Sequence, residues 1–153
     1  MVLLDEILRA RDDNDPRLEA AFLGLSAAAR RGFREKYRGL PPESRNQRGT
    51  IVYLLGKNLA APEDWAFLRE VAAEPPCLSL ADCRTAAPEG GGETGDAVTL
   101  SYPALVALKQ AERVLSAGAP ASSRREALSV VRAGKSSGSR AVAAMASRLE
   151  RRF

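Results

Sequence analysis

The most suggestive chemical motif of the chain is residues 134–138, which read Gly-Lys-Ser-Ser-Gly. The first three match the end of a phosphate-binding P-loop, and all five match the turn that carries the nucleophilic serine of some hydrolases. Both motifs need a β-strand in front, and the P-loop needs a glycine where Ser129 stands. The preceding residues have a helical pattern instead. We therefore predict a turn between two helices here.

The remaining chemically active residue types are few. The 153 residues include no histidine, the commonest general base and metal ligand. Cys77 and Cys83 are the only cysteines, and two thiols without histidine cannot build a structural zinc site. Residues 12–15 (Asp-Asp-Asn-Asp) carry oxygen ligands but lack the glycine and the distal glutamate of a calcium-binding EF-hand loop, so they predict a polar turn. We expect no enzymatic activity, no cofactor and no metal site.

The two cysteines leave one alternative open. They are either free thiols in a loop, which we favour, or a disulfide, which would indicate an oxidising compartment. The first residues lack the basic stretch of a signal peptide, and no apolar run approaches the 18 or so residues of a membrane span. We therefore expect a cytoplasmic protein without a membrane span, or an exported one if the disulfide forms.

Charge is unevenly distributed along the chain, although the net charge is only +4. Residues 30–48 carry seven basic and two acidic side chains (+5), residues 63–96 carry two and eight (−6), and residues 124–152 carry eight and two (+6). Arginine outnumbers lysine by 19 to 4, and arginine favours bidentate contacts with carboxylate or phosphate groups.

The first basic region predicts a stripe. Arg30, Arg34 and Arg38 follow one another at intervals of four, so they lie along one line of an outward helix face, and Arg45 and Arg48 begin the next helix. One interpretation is a surface for nucleic acid, anionic lipid or an acidic protein. The other, which we favour, is a solvated face partly paired with the acidic centre. Convergence of the five arginines in space would support the first interpretation.

The elements that must position these residues are helices. Hydrophobic residues make up 45% of the chain, alanine is abundant, and alternating strand patterns are missing. Apolar residues recur at helical spacing between prolines, glycines and capping residues, which predicts seven or eight helices with short connections. The predicted helices span residues 2–11, 17–25, 27–38, 43–60, 61–74, 99–117 and 122–133, with a last one after residue 138. Residues 75–98 form an irregular insertion in what we predict to be a single domain, residues 1–153.

Residues 48–56 (Arg-Gly-Thr-Ile-Val-Tyr-Leu-Leu-Gly) and 62–71 (Pro-Glu-Asp-Trp-Ala-Phe-Leu-Arg-Glu-Val) resemble one repeat of the HEAT family. That family places an arginine and a later glycine on its first helix, and a proline and an acid at the start of its second. A weaker second unit spans residues 102–133. The resemblance implies an all-α, HEAT-like (armadillo-like), right-handed stack of antiparallel helical hairpins that binds or scaffolds other proteins.

The resemblance also suggests where a partner would bind. It places Trp65 on the inward stripe of the second helix, where packing in the core is the favoured role. Phe67 lies off that stripe, so it is either an exposed contact or a residue that packs against the neighbouring repeat. We expect another protein or peptide to bind near Trp65, Phe67 and the flanking arginines. Nucleic-acid backbone binding through the arginine-rich faces is the alternative, and the sequence leaves the oligomeric state open.

Overall fold

The structure, a computed structural model, describes residues 2–10, 17–86 and 96–153, and all the regular elements in these ranges are helical. The predicted turn at residues 12–15 lies outside them. The α-helices are α1 (Val2–Ala10), α2 (Arg17–Ala20), α3 (Ala27–Gly39), α4 (Arg45–Gly56), α5 (Pro62–Ala72), α6 (Tyr102–Ser116), α7 (Ala121–Lys135) and α8 (Arg140–Arg152). A single 3₁₀ turn, Thr99–Ser101, leads into α6. The all-helical fold class is therefore confirmed.

The helices from α3 onward pack in two rows. Helix α6 contacts both α4 and α8, and these three helices form the first row. Helix α5 contacts α7 in the second row. Helix α3 reaches α5 through the side-chain pairs Arg34–Asp64 and Arg38–Glu70. Helices α4 and α5 thus form one hairpin and α6 and α7 the next. This order is consistent with the predicted stack of hairpins, while the resemblance to the HEAT family stays a prediction.

Small residues let the first row pack closely. A methyl group on Gly56 of α4 would stand 2.1 Å from Cγ of Gln110 on α6, and one on Gly49 would stand 2.4 Å from the Tyr102 ring. Arg113 of α6 also donates to the Gly56 carbonyl, so this side of α6 lies directly against α4. Because a side chain would not fit at either glycine, α4 and α6 approach each other at a distance that only glycine allows.

Several helices begin at residues that favour a helix start. The Ser26 hydroxyl accepts from the Ala29 amide at 3.2 Å and caps α3, and the Ser139 hydroxyl caps α8 through the Val142 amide. Pro62 is the first residue of α5, where its missing amide hydrogen costs nothing. The predicted turn at residues 134–138 is also present, because α7 ends at Lys135 and α8 begins at Arg140.

The second helix is shorter than predicted, ending at Ala20 rather than near residue 25. Asn58, beyond the end of α4, forms hydrogen bonds with backbone groups that would be bonded within the helix if α2 were longer. Its amide nitrogen donates to the Phe22 carbonyl at 2.8 Å, and its oxygen accepts from the Leu25 amide at 2.9 Å. Gly24 closes the turn at φ = 70°, a conformation that favours glycine.

The segment between α5 and α6 contains no helix from residue 73 to residue 86 or from residue 96 to residue 98. Residues 77–80 of this segment lie beside the start of α4 and beside the turn that leads into α6. The described part of the chain contains no helix that is both long and apolar enough to cross a membrane.

Candidate functional site

The predicted arginine stripe on α3 faces helix α5. Arg30 and Arg34 have side chains only 13% and 14% exposed, and both form ion pairs with Asp64. Arg38 is half-exposed and pairs with Glu70 at 2.7 Å. The prediction that this stripe points outward is therefore wrong, because the acids of α5 draw the three guanidinium groups against that helix. Of the favoured interpretation, a solvated face partly paired with the acidic centre, the pairing is present, but Arg30 and Arg34 are not solvated.

Asp64 is the centre of this arrangement, and the sequence did not reveal that role. Its side chain is fully buried, and its carboxylate accepts from the backbone amides of Ala60 and Ala61 at 3.1 and 3.0 Å. It therefore caps α5 while it neutralises two arginines of α3. The Pro-Glu-Asp start of the helix indicated the cap. Nothing in the local pattern indicated that the ionic partners come from residues 30 and 34.

Arg48 on α4 joins a cluster at the other end of α5. Its guanidinium carbon lies 4.1 Å from the centre of the Tyr37 ring, and its Nη2 donates to Glu74 at 3.0 Å. The Tyr37 hydroxyl donates to the second carboxylate oxygen of Glu74 at 2.9 Å. Burial raises the pKa of Glu74, and the positive charge of Arg48 opposes this shift. Burial also raises the pKa of Tyr37, so its hydroxyl stays a donor.

The two predicted aromatic contacts are both buried. Trp65 is 7% exposed, as its inward position predicted, and Phe67 is 1% exposed. The Phe67 ring meets the Tyr37 ring edge-on with the centres 5.0 Å apart. Phe67 is therefore a packing residue rather than an exposed contact, and its neighbour is α3. A partner that binds this protein cannot reach either ring without unfolding part of the core.

Arg45 holds the irregular segment against the start of α4. Its guanidinium donates to the carbonyl oxygens of Leu80 at 2.9 Å and Ser79 at 3.4 Å. Glu43 accepts from the Cys83 amide at 2.9 Å, and this bond lowers the pKa of its carboxyl group. These contacts fix the position of a loop that the sequence suggested only as an irregular insertion.

The structure joins Cys77 and Cys83 in a disulfide, which differs from the free thiols that the sequence favoured. The bond closes the same loop that Arg45 and Glu43 hold. Inside the loop, the Leu78 amide donates to the Cys83 carbonyl at 3.2 Å, and the Cys77 amide donates to the Leu100 carbonyl at 3.0 Å. We call residues 77–83 the disulfide loop.

An open cleft of about 380 Å³ lies between the disulfide loop, the start of α4, the end of α5 and the start of α6. Its charged lining consists of Arg45, Arg48, Arg84 and Glu74. Its apolar lining comes from Pro42, Pro75, Pro76, Leu78, Leu100, Pro103 and Ala104.

Two features make the cleft electropositive. Three arginines face one glutamate, and helices α4 and α6 both begin at its edge, where a helix carries partial positive charge. The Nε atom of Arg48 is buried and has no hydrogen-bond partner in the part of the chain that the structure describes. The cleft can thus hold an apolar group beside a negatively charged one.

The predicted arginines do not converge on one surface. Arg45 and Arg48 reach this cleft, whereas Arg30, Arg34 and Arg38 are each engaged along α5. The sequence missed Glu74 and the contribution of Arg84. Both lie in or beside the irregular segment, where helical spacing gives no information about position.

The motif at residues 134–138 has a structural role. Gly134 is buried on α7, and a methyl group there would stand 2.9 Å from Leu108 of α6 and 3.3 Å from Ala146 of α8. Within residues 2–10, 17–86 and 96–153, no group of three or more acidic or cysteine side chains is placed to hold a metal ion.

Comparison with protein-family models, with curated proteins and with solved structures found no match to this chain.

Proposed function

We propose that this chain is a non-enzymatic helical-repeat module that binds an extended segment of another protein in the cleft beside the disulfide loop. Support for a binding role comes from the stacked hairpins, whose ends leave a groove lined by residues of α4, of α6 and the 3₁₀ turn before it, and of the segments before α4 and after α5. The lack of histidine, and a glycine-serine turn built into helix packing, favour binding over catalysis.

The observation that carries the proposal is the composition of the cleft. Its size is within the range of sites that take small ligands or a few side chains. Leu78, 53% exposed, is one of few large apolar side chains exposed to solvent in the described residues, and it stands at the edge of this cleft. An exposed apolar residue beside arginines fits a peptide with an apolar side chain next to a carboxylate.

A library of random peptides displayed on phage tests the proposal. We expect selection on the purified protein to enrich peptides in which an acidic residue lies within a few positions of a large apolar one. Recovery of no enriched sequence would contradict the proposal, and so would enriched peptides that bind every cleft variant as tightly as the unchanged protein.

Two pairs of variants locate the binding surface. Leu78→Ser removes the exposed apolar edge, and we expect it to weaken the selected peptides by about tenfold, while Leu23→Ser, at a position 66% exposed outside the cleft, leaves binding unchanged. Arg84→Glu reverses a charge at the cleft, and Arg31→Glu makes the same change on the exposed side of α3. If both variants of either pair lose the same peptide affinity, the peptide binds outside the cleft.

A further inference from the structure

The three C-terminal helices leave a set of arginines without acidic partners. Each of their glutamates is already in an ion pair: Glu112 with Lys109 and Arg152, Glu126 with Arg69, and Glu150 with Lys135. Five exposed arginines on α7 and α8 form no ion pair with the described residues: Arg125, Arg132, Arg140, Arg148 and Arg151. Of these, Arg148 acts on Glu112 without pairing with it: the hydrogen bond from Lys109 is the main cause of the lowered pKa of Glu112, and the charge of Arg148 adds to it. We call these five the C-terminal arginines.

Their spacing places them on outward helix faces. On α8, Arg140, Arg148 and Arg151 follow intervals of eight and three residues, opposite the stripe that buries Val142 and Leu149. Arg125 and Arg132 lie two turns apart on one face of α7. This arrangement differs from that on α3, where the arginines face a neighbouring helix and meet carboxylates.

Helix stability does not account for one of these positions. Arg140 is the first residue of α8, where the helix carries partial positive charge, and the first turn contains no acid. A cation there is unfavourable by roughly 0.3–1 kcal/mol. An acidic residue would suit the helix better, so the stability of α8 gives no reason for the charge of Arg140.

We propose that the C-terminal arginines bind the phosphate backbone of nucleic acid. None of the large exposed apolar side chains of the described residues lies on α7 or α8. A protein partner is usually anchored by apolar and aromatic residues, and a helix that lies in a membrane surface buries an apolar face. Unpaired arginines on the outward faces of α7 and α8, without such anchors, are instead suited to a polyanion, which binds through release of its counterions.

A salt titration with a mixed-sequence DNA duplex tests this proposal. If the five arginines contact five phosphates, the logarithm of the association constant falls with a slope of about −4.5 against the logarithm of salt concentration. Affinity then drops by about 500-fold between about 50 and about 200 mM salt. A scrambled duplex of equal length should bind equally well. The absence of binding at low salt would overturn the proposal.

Variants separate this surface from the paired arginines. The triple substitution Arg140→Gln, Arg148→Gln and Arg151→Gln should reduce the slope to about −1.8, whereas lysine at the same three positions should retain most of it. Arg38→Gln, which breaks a pair with Glu70, should leave the slope unchanged. Equal effects of the triple glutamine variant and of Arg38→Gln would overturn the assignment.

Two further measurements distinguish nucleic-acid binding from a structural role for Arg140 and from binding to lipid. Arg140→Glu should weaken DNA binding while the melting temperature stays the same or rises, because the new charge suits the start of α8. A fall in melting temperature would show that Arg140 is structural. Vesicles of phosphatidylserine and phosphatidylcholine serve as the second probe, and retention on them without binding to the duplex would replace nucleic acid by a lipid surface.

Discussion

At the scale of single residues, the buried carboxylate of Asp64 has two structural roles. It accepts from two backbone amides at the start of α5 and neutralises two guanidinium groups that are themselves mostly buried. An ionised group without solvent is stable only where such partners surround it. The burial of Asp64 therefore determines where α3 lies on α5.

Replacement of Asp64 tests that conclusion. We expect Asp64→Asn to lower the free energy of unfolding by about 3 kcal/mol, because it leaves Arg30 and Arg34 buried without a counter-charge. Glu70→Gln breaks the half-exposed pair with Arg38 and should cost no more than about 1 kcal/mol. Urea denaturation monitored by circular dichroism gives both values. If the two variants lose similar free energies of unfolding, burial of the Asp64 ion pairs does not add to their effect on stability.

Two glutamates near the end of α5 should respond to pH in opposite directions. Burial raises the pKa of Glu74 above its ordinary value of 4.5, so the folded chain retains this proton longer than the unfolded chain. The hydrogen bond from Arg38 lowers the pKa of Glu70, so the folded chain loses that proton earlier.

The sign of each contribution to stability follows. As pH rises from about 4 to about 7, the stability of the unchanged protein relative to Glu74→Gln should fall, whereas its stability relative to Glu70→Gln should rise. Urea unfolding of the three proteins across this range provides the measurement. A common direction for both differences would contradict the assigned environments.

At the scale of elements, the close approach of α4 and α6 depends on glycine. Gly56→Ala should lower the free energy of unfolding by about 1–3 kcal/mol, because the new methyl group would overlap the buried side chain of Gln110. Gly39→Ala is the matched control, since no atom lies within 4 Å of the added methyl group. It should be neutral or slightly stabilising. Thermal melting of both variants gives the comparison, and a stable Gly56→Ala protein would mean that the helices can separate.

Helix type and the main caps could be predicted from the sequence because they depend on neighbours along the chain. Ser26, Pro62 and Ser139 act within a few residues of themselves, and each is of a type that favours the start of a helix. The end of α2 could not be predicted in this way. It depends on Asn58, more than thirty residues later, which bonds to the turn after α2.

In the candidate site, too, features that depend on nearby residues could be predicted and features that depend on distant residues could not. Spacing placed Arg34 and Arg38 on one face of a helix correctly, but it gave no information about which neighbour that face meets. The cleft depends on a loop whose position is determined by Arg45, Glu43 and a disulfide. Contacts between segments far apart in the chain leave no periodic signal.

The disulfide loop contributes a prediction of its own. Replacement of Cys77 and Cys83 by serine should reduce the free energy of unfolding by about 2 kcal/mol, the loop-closure entropy expected for so short a segment. It should also weaken the peptides selected for the cleft, because the loop forms one wall. Calorimetry and peptide titration measure the two effects. Unchanged affinity in a folded variant would show that Arg45 and Glu43 suffice to hold the wall.

At the scale of the whole molecule, charge is distributed in two ways along the stack. Arg30 and Arg34 of α3 and Arg48 of α4 are mostly buried and pair with Asp64 of α5 or with Glu74 just beyond it, so these arginines contribute to folding. The arginines of α7 and α8 outnumber the acids near them and remain on the surface. The same residue type therefore stabilises one part of the molecule and stays exposed and unpaired in another.

The stacked arrangement also predicts which helices a single core substitution destabilises. In repeat proteins each unit contacts only its neighbours, so a local defect loosens adjacent helices first. Leu149→Ala, which removes a buried side chain of α8, should speed amide hydrogen exchange mainly in α6, α7 and α8. Ile7→Ala, a comparable loss in α1, should act mainly on the N-terminal helices. Each substitution should cost about 2–5 kcal/mol, which is enough for exchange measured by mass spectrometry to detect. Uniform acceleration of every helix by both variants would mean that the chain unfolds as one cooperative bundle, and the similarity to a repeat stack would then be geometric only.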